Sequence, residues 1–306
     1  MSSDSTPTAF ASHTLSNVLG GIVFRKELVT CNLTDTLKDT LDKMRAASVT
    51  SLPVMDQNGD AVRIVDLQDV LTYLALRSED STPPEELQVH HLVGMGAESR
   101  DMFIFKHNDT VDTLLPIFSA GVHRVIVTLD DDLKNPQLLS QTDLIRYLNK
   151  QIRLPEEVAE STLEDAGLLR ETVKAQDTES ALQALSRMRN KEVTCVGIVN
   201  SSQQLVANLS CTDLRRVCIG GNNGNDELVD IEDLKNLNVL AFLRRSSGGS
   251  APLTLTPNST VQEALDLVVQ KRIKRVWLVD NAIKPVGLCT LSDLINLCLK
   301  SSADAF

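Results

Sequence analysis

Aromatic residues are scarce in this chain, 3% of the whole with one Trp and two Tyr. A core built almost without them must be aliphatic. Basic residues are outnumbered, 30 Lys and Arg against 41 Asp and Glu, for a net charge of −11. General nucleic-acid binding is thereby excluded, because phosphate backbones require a cationic surface. One local basic pocket for a small anion remains compatible with that balance. No apolar run reaches membrane-spanning length and residues 1–8 are polar, so neither a membrane span nor a signal peptide is expected. The six cysteines include no Cys-x-x-Cys pair. Cys195, Cys211, Cys289 and Cys298 lie in apolar runs and read as reduced core thiols of an intracellular protein, cytoplasmic or nuclear. His90, His91 and His107 have no Cys or acidic partner at ligand spacing, so no metal is expected. No Ser-His-Asp or Cys-His arrangement stands out, and no catalytic residue is assigned.

What is present is a repeat. Val122-His123-Arg124-Val125-Ile126-Val127 reads as a strand, followed by an acidic turn at Asp130-Asp131-Asp132 and a second short strand. Ser140-Gln141-Thr142-Asp143 then opens a helix. The same order, α-β-β-α, recurs with closing motifs Asp66-Leu67-Gln68-Asp69, Ser210-Cys211-Thr212-Asp213 and Thr290-Leu291-Ser292-Asp293. The four closing acids lie about 70 to 80 residues apart, a spacing that signals internal duplication. Taken singly, Ser140 with Asp143 is a capping box, in which hydroxyl and acid satisfy the helix's own free amides. The same helix N-terminus is also a ready site for phosphate, with Arg124 supplying charge and Asp143 able to accept from two sugar hydroxyls. The glycine-rich stretches 220–225 and 246–250 lack phosphate-loop context and read as flexible loops.

The unit resembles the cystathionine-β-synthase (CBS) domain. Four in tandem resemble the γ regulatory subunit of the AMP-activated/SNF1-related kinase family, PV42-like and Sds23-like members included. The most similar pieces are Gly121-Val122-His123-Arg124-Val125 with Leu139-Ser140-Gln141-Thr142-Asp143, and Arg275-Val276-Trp277-Leu278-Val279-Asp280 with the fourth closing motif. The resemblance implies an α/β fold of four repeats forming two paired modules in a flat disc. The expected boundaries are 1–12 disordered, 13–76 for the first repeat and 87–150 for the second. The third is 151–219 with a preceding bridging helix, and the fourth 226–300 with a preceding helix. Pairing of the first two units predicts that residues 29–150 fold better than residues 29–76.

By the same resemblance the protein is no enzyme and holds no cofactor. Its clefts would bind AMP, ADP or ATP. Asp143, Asp213 and Asp293 would hold ribose hydroxyls, and Ser140, Ser210 and Thr290 would touch nucleotide. His123, Arg124, Lys274 and Arg275 would meet phosphates. Partners would be kinase catalytic and scaffold subunits, and pairing of two chains into a homodimer stays open. Some positions depart from the pattern. Asp66 stands where Ser or Thr is usual, Thr50 where an arginine is frequent, and Val193-Thr194 where the basic pair would lie. A scaffold with vacant clefts, or a regulator of a different enzyme or transporter, is the alternative.

Overall fold

The computed structural model describes all residues except 1–9, 11, 22–27, 79–80, 97–98, 130–131, 152–153, 222–226, 248–250 and 304–306. Most of the N-terminal stretch read as disordered, Asp130 and Asp131 of the acidic turn, and residues 222–225 and 248–250 of the glycine-rich stretches lie outside the described residues.

Each unit folds around a three-stranded sheet in which a short parallel strand flanks an antiparallel hairpin. The hairpins are Ser51–Met55 with Ala61–Asp66, Arg124–Thr128 with Gln137–Ser140, Cys195–Val199 with Leu205–Ser210, and Arg275–Val279 with Pro285–Thr290. Three turns are built alike. Asp56, Asn200 and Asp280 each accept two backbone N–H groups through a side-chain oxygen, from Asn58 and Asp60, Ser202 and Gln204, and Ala282 and Lys284. Such side-chain turns are why Asn and Asp recur there. The third residue after each, Gly59, Gln203 or Ile283, takes positive φ.

Three of the four opening helices begin at reciprocal caps, Thr36 with Asp39, Ser180 with Gln183 and Thr260 with Glu263. Leu37, Leu41 and Met44 then recur at helical spacing and are buried. Three of the closing motifs start α-helices, Leu67–Leu76, Gln141–Gln151 and Leu291–Ala303. The third starts only a 3₁₀ turn, Cys211–Arg216, which runs into the strand Val217–Cys218.

Units one and two meet along their hairpins, where Ala61 N–H donates to the Leu133 carbonyl at 3.0 Å. Units three and four repeat that contact, Leu205 N–H to the Ile283 carbonyl at 2.9 Å. The apolar cores run the other way. One joins Leu41, Val70 and Leu74 of unit one to Leu185, Met188 and Leu214 of unit three. The other joins Leu115, Phe118 and Leu144 of unit two to Leu265, Leu294 and Ile295 of unit four. The fold is thus two sheet-faced pairs sealed to each other by helices.

The segment before each unit packs on that unit's sheet partner. Helix Leu15–Gly20, placed by sequence in unit one, lies in the core of units two and four, and Leu15 N–H donates to the Asp109 carbonyl. Helix Val89–Leu92, placed in unit two, lies in the core of units one and three. Residues 161–168, placed with unit three, hydrogen-bond unit four through Leu163 N–H to Ser259 O. Helix Val239–Ser247, placed with unit four, bonds unit three through Val239 N–H to Glu179 O. The boundaries read from the sequence therefore divide the chain by motif but not by packing. An amphipathic face specifies burial, and the short linkers let either partner supply it.

Candidate functional site

Backbone bonds put the four units in one register. The residue after each closing Asp, Ser or Thr donates its N–H to a carbonyl at the foot of the neighbouring strand. The pairs are Leu67 to Thr50, Gln141 to His123, Cys211 to Thr194 and Leu291 to Lys274. In the ladders Ser51, Arg124, Cys195 and Arg275 lie opposite Asp66, Ser140, Ser210 and Thr290. The His123-Arg124 and Lys274-Arg275 positions are therefore Thr50-Ser51 in unit one and Thr194-Cys195 in unit three. This corrects the sequence alignment by one residue. Thr50 is the counterpart of His123, and Val193 falls outside the pair.

The two arginines reach across the sheet-faced dyads to those threonines. Arg124 Nη2 donates to Thr50 Oγ1, and Arg275 Nη2 donates to Thr194 Oγ1 at 3.1 Å. Beyond that the pairs differ. Arg124 Nη1 also lies 3.5 Å from Asp66 Oδ2, with the two side chains only 10% and 5% exposed. A buried guanidinium so partnered has less charge to give a phosphate. Asp66 is at the same time the N-cap of its helix, accepting from Gln68 N–H and Asp69 N–H. The counterpart of Asp66 facing Arg275 is the neutral Ser210. Between units three and four the dyad is filled by Trp277, whose indole N–H donates to Asn208 Oδ1 at 2.9 Å and whose ring lies over Gly197.

The closing motifs cap their helices in every copy. Ser140 Oγ donates to Asp143 Oδ2 at 2.6 Å, Ser210 Oγ to Asp213 Oδ2 at 3.0 Å and Thr290 Oγ1 to Asp293 Oδ2 at 2.6 Å. Capping uses one carboxylate oxygen, so the cap and a ligand contact are compatible wherever the second oxygen is open. At Asp69 it is closed, because Oδ1 accepts from Gly96 N–H at 2.9 Å and from Ser99 Oγ. At Asp293 it is closed by Arg170. Nη1 donates to Oδ1 at 3.0 Å and Nη2 to Oδ2 at 2.7 Å, a bidentate pair that pushes the Arg170 pKa up. Asp143 Oδ1 has no hydrogen-bond partner among the described residues, and Asp143 is only half-buried. Of the three carboxylates read as sugar holders, the structure thus leaves Asp143 accessible and takes up Asp293.

All four units open onto one central cavity of about 2180 Å³. Its wall carries nine Lys and Arg residues against four acids, in a chain whose net charge is −11. Arg124, Lys274, Arg275 and Asp143 are among them, and His123, Ser140 and Thr290 also line the wall. Arg215 also lines it, and burial pushes its pKa down, as expected of a desolvated cation. Cys195 and Cys211 reach the same wall, but burial raises both thiols and leaves them poor nucleophiles. Among the described residues no group of three His, Cys, Asp or Glu is placed to hold a metal, and no helix is long and apolar enough to cross a membrane.

Two of these features were not foreseen. Arg170 carries no sequence signal beyond being a cation in a linker. Its place depends on Gly287, where a Cβ would lie 2.5 Å from Leu168 O, so that segment 168–170 can cross the fourth sheet. Gly96 and Ser99 resemble any polar loop, yet they close Asp69.

The model of the CBS domain matches residues 19–76 and 249–300. An Arabidopsis thaliana protein named SNF1-related protein kinase regulatory subunit gamma-like PV42b is 24% identical, over 90% of this chain and 92% of its own length. Protein SDS23 of Kluyveromyces lactis is 22% identical over 94% of this chain, which spans 63% of that protein. A Methanocaldococcus jannaschii structure, described as a proposed archaeal homologue of γ-AMPK, superposes with a TM-score of 0.71. It covers 89% of this chain and 96% of its own at 17% identity, a likeness in fold. The chain carries CBS domains, arranged as four tandem units in two pairs, and resembles the SNF1-related γ-like and Sds23 proteins.

Proposed function

We propose that this chain is a non-catalytic regulatory subunit that binds adenine nucleotides in its CBS clefts and regulates a protein kinase complex of the SNF1/AMP-activated type. The observation that carries the nucleotide reading is Asp143, whose Oδ1 has no partner among the described residues beside a cavity rich in cations. A carboxylate for the sugar diol and cations for the phosphates are the two things a nucleotide requires. Asp143 with Ser140 and His123 forms the leading site. Asp213 and Ser210, across the dyad from Lys274 and Arg275, form the second. AMP, ADP and ATP differ in length and charge, so each stabilises a different arrangement of the disc and its partner. The kinase reading rests on the likeness to the SNF1-related γ-like proteins.

Titration calorimetry with AMP, ADP and ATP tests the nucleotide reading, with S-adenosylmethionine as the competing ligand class. The parent is expected to bind adenylate, and Asp143→Ala to lose about ten- to a hundredfold in affinity, the range for losing hydrogen bonds to a charged acceptor. Equal binding by parent and variant would reduce the Asp143 motif to a helix cap. Affinity capture from native extract is expected to recover a Ser/Thr kinase catalytic or scaffold subunit. A stoichiometric complex with a transporter or metabolic enzyme would replace the kinase assignment.

A second reading has its own support. Asp69 and Asp293 are saturated by the chain itself, which is what a docking scaffold with vacant clefts would show. Absence of binding by well-folded parent to all four ligands selects that reading.

A further inference from the structure

Among the four equivalent carboxylates, Asp69 and Asp293 are closed from within, and they are closed differently. Asp69 has no exposed surface and is held by a backbone amide and a buried hydroxyl, so its closure belongs to the fold. Asp293 is closed by a side chain. Arg170 is 42% exposed, is fixed by its bidentate pair and by a third bond from Nη2 to Leu288 O at 2.7 Å, and lies on the wall of the central cavity. The rest of the fourth closing motif is in place. Thr290 caps the helix, and Lys274 and Arg275 stand at the foot of the strand. Beside Arg170, Thr172 is buried on the same wall with an unpartnered Oγ1.

We propose that Arg170 is an internal plug of the fourth site, its guanidinium occupying on Asp293 the place a sugar diol would take. This rests on the nucleotide reading above and deepens it. Nucleotide enters the fourth cleft only as Arg170 leaves Asp293. The geometry is set by the linker, since Arg170 N–H donates to Val286 O at 3.2 Å and the backbone crosses strand Pro285–Thr290 at Gly287. The side chain can swing away without disturbing that backbone. A fork of two parallel bonds to one carboxylate competes directly with a diol for the same lone pairs. Arg170 therefore sets which clefts are open, and the parent fills the Asp143 site while the Asp293 site stays shut.

The single tryptophan gives a local reporter. Trp277 pairs in the ladder with Leu288, the residue whose carbonyl Arg170 also holds. The test is titration of the parent, Arg170→Ala and Arg170→Ala/Asp293→Asn with AMP and with ATP, following heat and Trp277 emission together. Arg170→Ala is expected to gain one binding event that changes Trp277 emission, with affinity at that site raised about ten- to a hundredfold over the parent. The double variant is expected to lose it. If the parent binds adenylate and Arg170→Ala binds no more, the plug is overturned while the nucleotide reading stands. If the parent is silent and Arg170→Ala binds, the plug stands and the Asp143 assignment falls. Silence of both, with Asp293 freed, overturns plug and nucleotide reading alike. A Trp277 change in the parent equal to that in Arg170→Ala overturns the plug, because the site is then already open.

Discussion

Residues 10–151, the first two units with their linkers, are expected to have no stable monomeric fold when expressed alone. The reason lies in which faces are apolar. Within the pair, the two hairpins meet through their turns, a threonine-bound arginine and one buried ion pair, and the short linker helices Leu15–Gly20 and Val89–Leu92 pack across. The apolar faces point away, Leu41, Val70 and Leu74 into unit three and Leu115, Phe118 and Leu144 into unit four. Cutting at residue 151 exposes both at once. Each buried Leu or Phe side chain is worth about 1.5–3 kcal/mol when removed from water. A domain has only about 5–15 kcal/mol of net stability, so losing a handful is enough. The fragment should sediment as a dimer, pairing its two apolar faces with a second copy, or bind hydrophobic dye without a cooperative melt. A monomer that melts cooperatively would show that the hairpin contacts suffice. The sequence-based expectation is comparative, that residues 29–150 fold better than residues 29–76, and the packing adds that even the longer fragment lacks its apolar neighbours. Repeat units that cannot bury their own faces need all their neighbours, and here the neighbours are not consecutive.

The fold was legible because the repeat is written in local chemistry. Caps at Thr36, Ser180 and Thr260, Asx-type turns at Asp56, Asn200 and Asp280, and β-branched strands each specify a backbone state within a few residues. Where local chemistry thinned, the reading slipped. Thr50-Ser51 and Thr194-Cys195 have no charge to align with His123-Arg124, and only the ladders fix their register. Ser210-Cys211-Thr212-Asp213 looks like its three counterparts, but its helix stops after one 3₁₀ segment where Val217 joins a strand with Val229. The exchange of linker helices was not legible, because an apolar stripe does not name its acceptor. In the candidate site, the closing acids were found by repetition alone. Their inequivalence was not, since it is decided by Arg170, Gly96 and Ser99, which come from segments that carry no motif.

Asp69→Ala is expected to cost about 3 kcal/mol or more of stability and to leave adenylate affinity unchanged, the reverse of Asp143→Ala. Asp69 is fully buried and accepts from Asp66 N–H at 2.9 Å, Gly96 N–H at 2.9 Å and Ser99 Oγ. Truncation leaves those donors buried without an acceptor, at about 1–3 kcal/mol each when none finds water. The damage spreads, because Ser99 Oγ in turn accepts from Gly94 N–H at 2.8 Å and is itself buried. Gly96 has no room to rearrange, since a Cβ there would already lie 3.0 Å from Gln68 and 3.1 Å from Asp69 N. The nearby Asp66–Arg124 pair also loses a fixed neighbour, as Asp69 Oδ2 holds the Asp66 amide. Asp69→Asn keeps the side-chain shape and one acceptor oxygen, and should recover part of the loss. Urea unfolding of parent, Ala and Asn forms measures this, with the midpoint expected to fall in the order parent, Asn, Ala at similar slope. A midpoint unmoved in Asp69→Ala, together with weakened adenylate binding, would make Asp69 a ligand carboxylate and the loop around Ser99 a lid rather than a closure.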